Sequence, residues 1–168
     1  MIILGIARSA AKVIRKYSGD ETASLDRMAA ILALKLNTWL IIAATVLLSA
    51  FTGRLFESLI AMGVFVALRT NSGGRHMPNL DLCFLVSVSL FLTIPYIPVN
   101  NGWFMILFLI CLIIFTMNHL AIARDNSKFI RVCLILLLSV IDPRHIIILA
   151  CTAQAILLLR KEVIVYAE

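Results

Sequence analysis

"GWFMILFLICLIIFTMNHLAIA" runs from Gly102 to Ala123 and holds no Asp, Glu, Lys or Arg. An α-helix rises about 1.5 Å per residue, so roughly 20 apolar residues cross the hydrocarbon core of a bilayer. This stretch is long enough to do so, and it is one of a series. Met28–Phe51 is interrupted only by Lys35 and Asn37. Leu55–Leu68, Asn79–Ile94, Phe129–Ile141 and His145–Leu159 are further apolar runs. The third of the six ends at "IPYIP", and the fifth is stopped by Asp142-Pro143. The second, third and fifth are short for a straight span, so flanking polar residues extend them or some are re-entrant.

The whole composition agrees. Of 168 residues, 62% are hydrophobic, against roughly 45–50% in soluble domains. A polar surface cannot cover that excess, so the solvent is largely lipid. One polytopic membrane domain over residues 1–168 is the natural organisation. The formal net charge of +6 falls between apolar runs. No basic, aromatic-interleaved surface is present, so nucleic acid is not expected as a partner. Anionic headgroups and membrane topology account for the charge instead.

Charge also assigns the sides. Arg8, Lys12, Arg15, Lys16 and Arg27 precede or open the first run. Arg69 and Arg75 follow the second, Arg124, Lys128 and Arg131 the fourth, and Arg160 and Lys161 the sixth. The alternate connections hold only Arg54 and Arg144. Twelve cations against two orient the chain by the positive-inside rule, with six spans and both termini in the cytosol. Lys35, about two turns into the first span, snorkels to the cytosolic interface or meets an acidic peptide. Arg54 and Glu57, three apart, read as a surface pair.

The opening "MIILGIARSAAKVIRKY" places its apolar residues before its charges, the reverse of a secretory signal. Ile3, Ile6, Ala7, Ala10, Val13, Ile14 and Tyr17 recur at helical spacing, with Arg8, Lys12, Arg15 and Lys16 opposite. Residues 1–18 are therefore expected to form an amphipathic helix in the membrane interface. The fold class is all-α integral membrane, with about six transmembrane helices plus this helix.

Chemistry concentrates in residues 69–83, on the cytosolic side. Cys111, Cys133 and Cys151 lie inside apolar runs and read as small buried hydrophobes. No CxxC spacing, metal site or cofactor motif is visible. His119 and His145 read as interfacial or packing residues. His76 and Cys83 stand together in "SGGRHMPNLDLC". A cysteine nucleophile needs a base within hydrogen-bond reach. In one continuous helix, residues seven apart are separated by about 10.5 Å of rise and cannot touch. A His76–Cys83 pair therefore requires a bend. Pro78 disfavours helix at Met77, and Asn79 is a good N-cap. A helix starting at Leu80 puts Cys83 in or just beyond its first turn, where the positive helix end favours anionic sulfur. Gly73 and Gly74 let the loop turn sharply. Asp81 would oppose a negative sulfur, orient His76, or simply answer the helix dipole. Ser72, Ser87 or backbone N–H groups could stabilise an oxyanion. Arg75 is a membrane anchor, or a contact to substrate or headgroup phosphate.

"RTNSGGRHMPNLDLC", Arg69–Cys83, resembles the catalytic segment of the accessory gene regulator protein B family. The shared elements are glycines (Gly73, Gly74), a histidine (His76), six intervening residues and a cysteine (Cys83), then an apolar span. Met77 departs from the small residue common there. The resemblance implies a multi-pass cysteine endopeptidase in the cell membrane of a Gram-positive bacterium, acting as a homodimer. It implies Cys83 as nucleophile and His76 as general base. The implied substrate is an AgrD-like precursor with an acidic C-terminal tail, cleaved through a thioester and cyclised to a thiolactone or lactone signal. Arg75, Lys35, Arg124, Lys128 and Arg131 are then candidates for contacting that precursor. The competing readings are a small transporter or channel subunit and a non-catalytic membrane scaffold. Against transport, Lys35 is the one clear ionisable group within the spans, whereas transporters place charges near the midplane.

Overall fold

The computed structural model describes residues 2–18, 24–72, 79–122, 126–142 and 145–159. These form seven α-helices: α1 (Ile2–Ser18), α2 (Leu25–Phe51), α3 (Leu55–Ser72), α4 (Leu80–Thr93), α5 (Asn101–Ile122), α6 (Asn126–Leu138) and α7 (Ile146–Leu159). A 3-10 turn, Ile94–Tyr96, follows α4. No strand occurs among the described residues. Helices α2 to α7 coincide with the six apolar runs, and α1 with the amphipathic opening. Among the described residues, two helices are long and apolar enough to cross a membrane, α2 and the Asn101–Leu120 part of α5. Helices α4, α6 and α7, at 14, 13 and 14 residues, reach only about 20 Å.

Local chemistry sets the boundaries. Ser24 caps α2, accepting from Arg27 N–H at 3.4 Å, and Gly53 at φ +71° closes it, the left-handed position that favours glycine after a helix. Asn100 Oδ1 accepts from Trp103 N–H at 2.9 Å and starts α5. Asp142 Oδ2 accepts from Ile147 N–H at 2.8 Å at the head of α7, beside His145 at φ 56°.

The chain packs as two compact units, Met1–Thr52 with His76–Leu92, and Gly53–Arg75 with Thr93–Glu168. In the first, α1 lies along α2. Ile3 and Ala7 cluster with Ala33, and Leu4, Leu32, Leu36, Leu80 and Phe84 pack around them. The row expected to be one apolar face is therefore split. Ile3, Ala7 and Ala11 are buried, whereas Ile6, Val13, Ile14 and Tyr17 stay exposed. Small residues let two helix backbones approach closely, so Ala7 and Ala11 take the helix contact together with Ile3, while the other large residues of the row remain outside. Arg8 pairs with Asp26 at 2.6 Å, a solvent-exposed bridge of little energetic weight.

Along α2 the burial is inverted relative to a water-soluble helix. Ala29, Ala33, Asn37, Thr45 and Ser49 are buried, while Trp39, Leu47 and Phe51 are exposed. Small and polar residues inside, bulky apolar residues outside, is the arrangement of a helix in lipid.

In the second unit, α7 touches α3, α5 and α6. The core is Leu68, Cys111, Phe115, Val132, Leu136, Ile148, Cys151 and Ala155. Cys111 and Cys151 are thus core residues, as their apolar settings suggested, whereas Cys133, expected to be buried as well, is only half-buried. Arg54 pairs with Glu57 at 3.5 Å, but Glu57 is only 9% exposed. The pair is not wholly a surface one, and Arg54 also lies over the Tyr96 ring, 5.5 Å from its centroid.

Candidate active site

Cys83 is the fourth residue of α4, and its N–H makes the helix's first backbone bond, to Asn79 O at 3.0 Å. Asn79 itself is not helical, and its Oδ1 accepts from Asp81 N–H at 3.1 Å. This is an N-cap bond: the side chain satisfies one backbone donor that the first turn leaves without an intrahelical acceptor. The helix therefore restarts at Leu80, and no single helix runs through residues 76–83. Cys83 is 5% exposed, with its thiol in the N-terminal turn. Ser87, half-buried, follows one turn later on the same face.

Asp81 has a bonding pattern that helix-end reasoning at α4 alone does not give. Its Oδ2 accepts from Ile2 N–H at 2.8 Å and its Oδ1 from Ile3 N–H at 3.1 Å. One carboxylate at the start of α4 thus holds the start of α1. Positions two apart on a helix face opposite sides, so Asp81 points to α1 while Cys83 points elsewhere. The negative charge that would oppose an anionic sulfur is answered by the positive end of α1.

Ser72 ends α3 in the second unit and is buried. Its hydroxyl donates to Leu68 O at 2.7 Å and accepts from Gln154 Nε2 at 3.4 Å, and its carbonyl accepts from Asn118 Nδ2 at 3.0 Å. These bonds fix the helix terminus. Lys35, Lys128 and Arg131 are exposed. Gly73, Gly74, Arg75, His76, Met77, Pro78 and Arg124 lie outside the described residues. His119 and His145 are packing residues here: His119 stacks on Phe129 with ring centroids 4.4 Å apart, and His145 tilts against Phe104 at 5.0 Å. No group of three or more His, Cys, Asp or Glu capable of holding a metal occurs among the described residues.

The sequence did not single out Asn118 and Gln154, which anchor Ser72 from α5 and α7. Polar residues inside two long apolar runs were the available signal.

The family model for accessory gene regulator B matches residues 7–128, which include all of α2 to α5 and the whole of the segment from Arg69 to Cys83. The chain belongs to the accessory gene regulator B family. No curated protein and no solved structure matches it. Membership makes this a protein of a membrane family that acts in the accessory gene regulator quorum-sensing system. It also implies interaction with that system's precursor peptide, AgrD.

Proposed function

We propose that the chain is a cysteine endopeptidase that cleaves and cyclises the signal precursor, with Cys83 as nucleophile and His76 as general base. The observation that carries this reading is the capped restart of α4, which puts the Cys83 thiol in a helical first turn. A helix N-terminus favours negative charge and so supports an attacking sulfur.

In the proposed reaction His76 takes the Cys83 proton as the sulfur attacks the carbonyl carbon at the end of the future signal. The tetrahedral intermediate collapses, the C–N bond breaks, and His76 returns the proton to the leaving amine. The C-terminal fragment departs, leaving a C–S thioester on Cys83. A cysteine or serine within the bound peptide then attacks the thioester, closing the ring and releasing the thiol. Burial of Cys83 supports this order of events, because a thioester shielded from water partitions toward the tethered nucleophile rather than hydrolysis.

The membrane setting belongs to the same proposal. Helices α2 to α7 make six passages, the shorter ones completed by flanking residues or re-entrant, with both termini cytosolic. The exposed Ile6, Val13 and Tyr17 of α1 seat in the bilayer surface of a Gram-positive host. The exposed cations draw in an acidic precursor tail, and the working unit is a homodimer.

The test is reconstitution in liposomes with the precursor and mass spectrometry of the products. Wild type is expected to release the C-terminal fragment and a cyclic peptide. Cys83→Ala and His76→Ala are expected to release neither, and Cys83→Ser at most traces. Full cleavage by Cys83→Ala would refute the proposal.

A further inference from the structure

Attack on a peptide carbonyl leaves negative charge on its oxygen, and an N–H or O–H aimed at that oxygen stabilises it. The backbone donors at the head of α4 are partly committed. Cys83 N–H donates to Asn79 O at 3.0 Å, and Asp81 N–H to Asn79 Oδ1 at 3.1 Å. Ser72 is held in the second unit by its own bonds. A side-chain donor from a neighbouring helix of the first unit would fill the gap. Asn37 of α2 is 3% exposed, and its Oδ1 is buried with no hydrogen-bond partner. Leaving a buried amide without partners costs stability, and such groups are often kept for chemistry.

The register of the unit puts Asn37 at the depth of Cys83. Only residues 19–24 separate α1 from α2. Arg8 pairs with Asp26 near the start of α2, while Ile3 and Ala7 cluster with Ala33, and Leu36 packs against them. Helix α1 thus runs back along α2, with its first turn nearest Ala33 and Leu36. Asp81 accepts from Ile2 and Ile3 N–H in that first turn, and Leu80 and Phe84 pack against the same cluster. The start of α4 therefore lies level with Ala33 and Leu36. Asn37 follows Ala33 by one turn on the same face of α2, and Cys83 stands between Leu80 and Phe84 in the chain.

We infer that Asn37 is a further catalytic residue, whose side-chain amide donates a hydrogen bond to the oxyanion formed when the Cys83 sulfur attacks. The inference rests on the peptidase reading. As the C–S bond forms, the carbonyl π pair moves onto oxygen, and the Asn37 N–H meets that charge. As the C–N bond breaks, the pair returns and the hydrogen bond weakens. The amide carries two N–H donors, and a half-turn of its plane exchanges nitrogen for oxygen without moving the backbone.

The test uses the full-length protein in liposomes, with kcat and KM for precursor cleavage read by mass spectrometry. Cys83 alkylation by iodoacetamide, which forms no oxyanion, and Tm are read in parallel. Asn37→Leu resembles the amide in shape and removes the donor. Its kcat should fall about 100- to 1,000-fold, with KM within about threefold. Cys83 alkylation should be unchanged, and Tm should equal or exceed that of the parent, because a buried amide without a partner is gone. Asn37→Ala should show the same kcat loss without added apolar bulk, and it carries the test where Leu disturbs the fold. Thr45→Val removes a buried hydroxyl that also has no partner, about 12 Å farther along α2, and should leave kcat unchanged. Four results would overturn the inference: kcat retained in the Asn37 variants, a loss confined to KM, a parallel fall in Cys83 alkylation, or an equal loss in Thr45→Val. Cleavage that depends on Cys83 but not on Asn37 removes this inference alone, whereas cleavage by Cys83→Ala removes the peptidase reading.

Discussion

Replacing Asn79 by Ala removes the one side-chain acceptor seen at the head of α4. The bond lost is the 3.1 Å contact from Asp81 N–H to Asn79 Oδ1. Loss of such a cap costs about 1 kcal/mol, within a range of roughly 0.5–2. Cys83 is 5% exposed, so an alkylating reagent reaches its thiol mainly when the first turn opens. The alkylation rate is then the intrinsic rate multiplied by the population of the open turn. A cost of about 1 kcal/mol multiplies that population about fivefold. Site-resolved mass spectrometry after a timed iodoacetamide pulse should show Cys83 labelled about five times faster in Asn79→Ala than in wild type. Cys111 and Cys151, buried in the other unit, serve as internal references and should not change. Asn79→Ser keeps a capping oxygen and should label like wild type. An unchanged Cys83 rate in Asn79→Ala, or a parallel rise at Cys111, would refute the claim that the cap holds the turn that carries Cys83.

Three further outcomes follow from the packing. Asp81→Ala should speed hydrogen exchange at the amides of Ile2 and Ile3, which donate to the carboxylate, while exchange within α5 stays as in wild type. Ala7→Leu forces a large side chain into a fully buried contact beside Ala33. Overpacking of about 1–3 kcal/mol should lower the Tm of the detergent-solubilised protein and raise proteolysis within α1. Leu68→Ala empties a fully buried position in the core of the second unit, and a loss of about 2–5 kcal/mol should appear as a lower Tm.

Helix placement was legible in the sequence because hydropathy and capping residues both report on it. The start of α4 is the clearest case: Asn79 and the neighbouring Pro78 mark it in the sequence itself. What periodicity could not reveal was which apolar residues meet which partner. Ile3 and Ile6 look equivalent on a helical wheel, yet one is buried and the other exposed, because the small residues near Ile3 admit a second helix. Asp81 was legible as an acid in a first turn. Its partners, Ile2 and Ile3, lie 79 and 78 residues away, a separation at which local patterns carry no information. The anchoring of Ser72 by Asn118 and Gln154 was hidden for the same reason. Glu57 read as a surface acid because its spacing to Arg54 is local, whereas its burial comes from the tertiary fold.

The Asp81 carboxylate acts as an interlock. It joins the leading edge of α1 to the turn that carries Cys83, and neither helix can shift alone without breaking its bonds. Withdrawing α1 would take away the two N–H donors that answer this carboxylate. The N-terminal segment is thereby linked to the turn that carries Cys83, although α1 contributes no side chain to the proposed reaction. Forces applied to that helix from outside, by a bilayer or a bound peptide, have a two-bond route to Cys83.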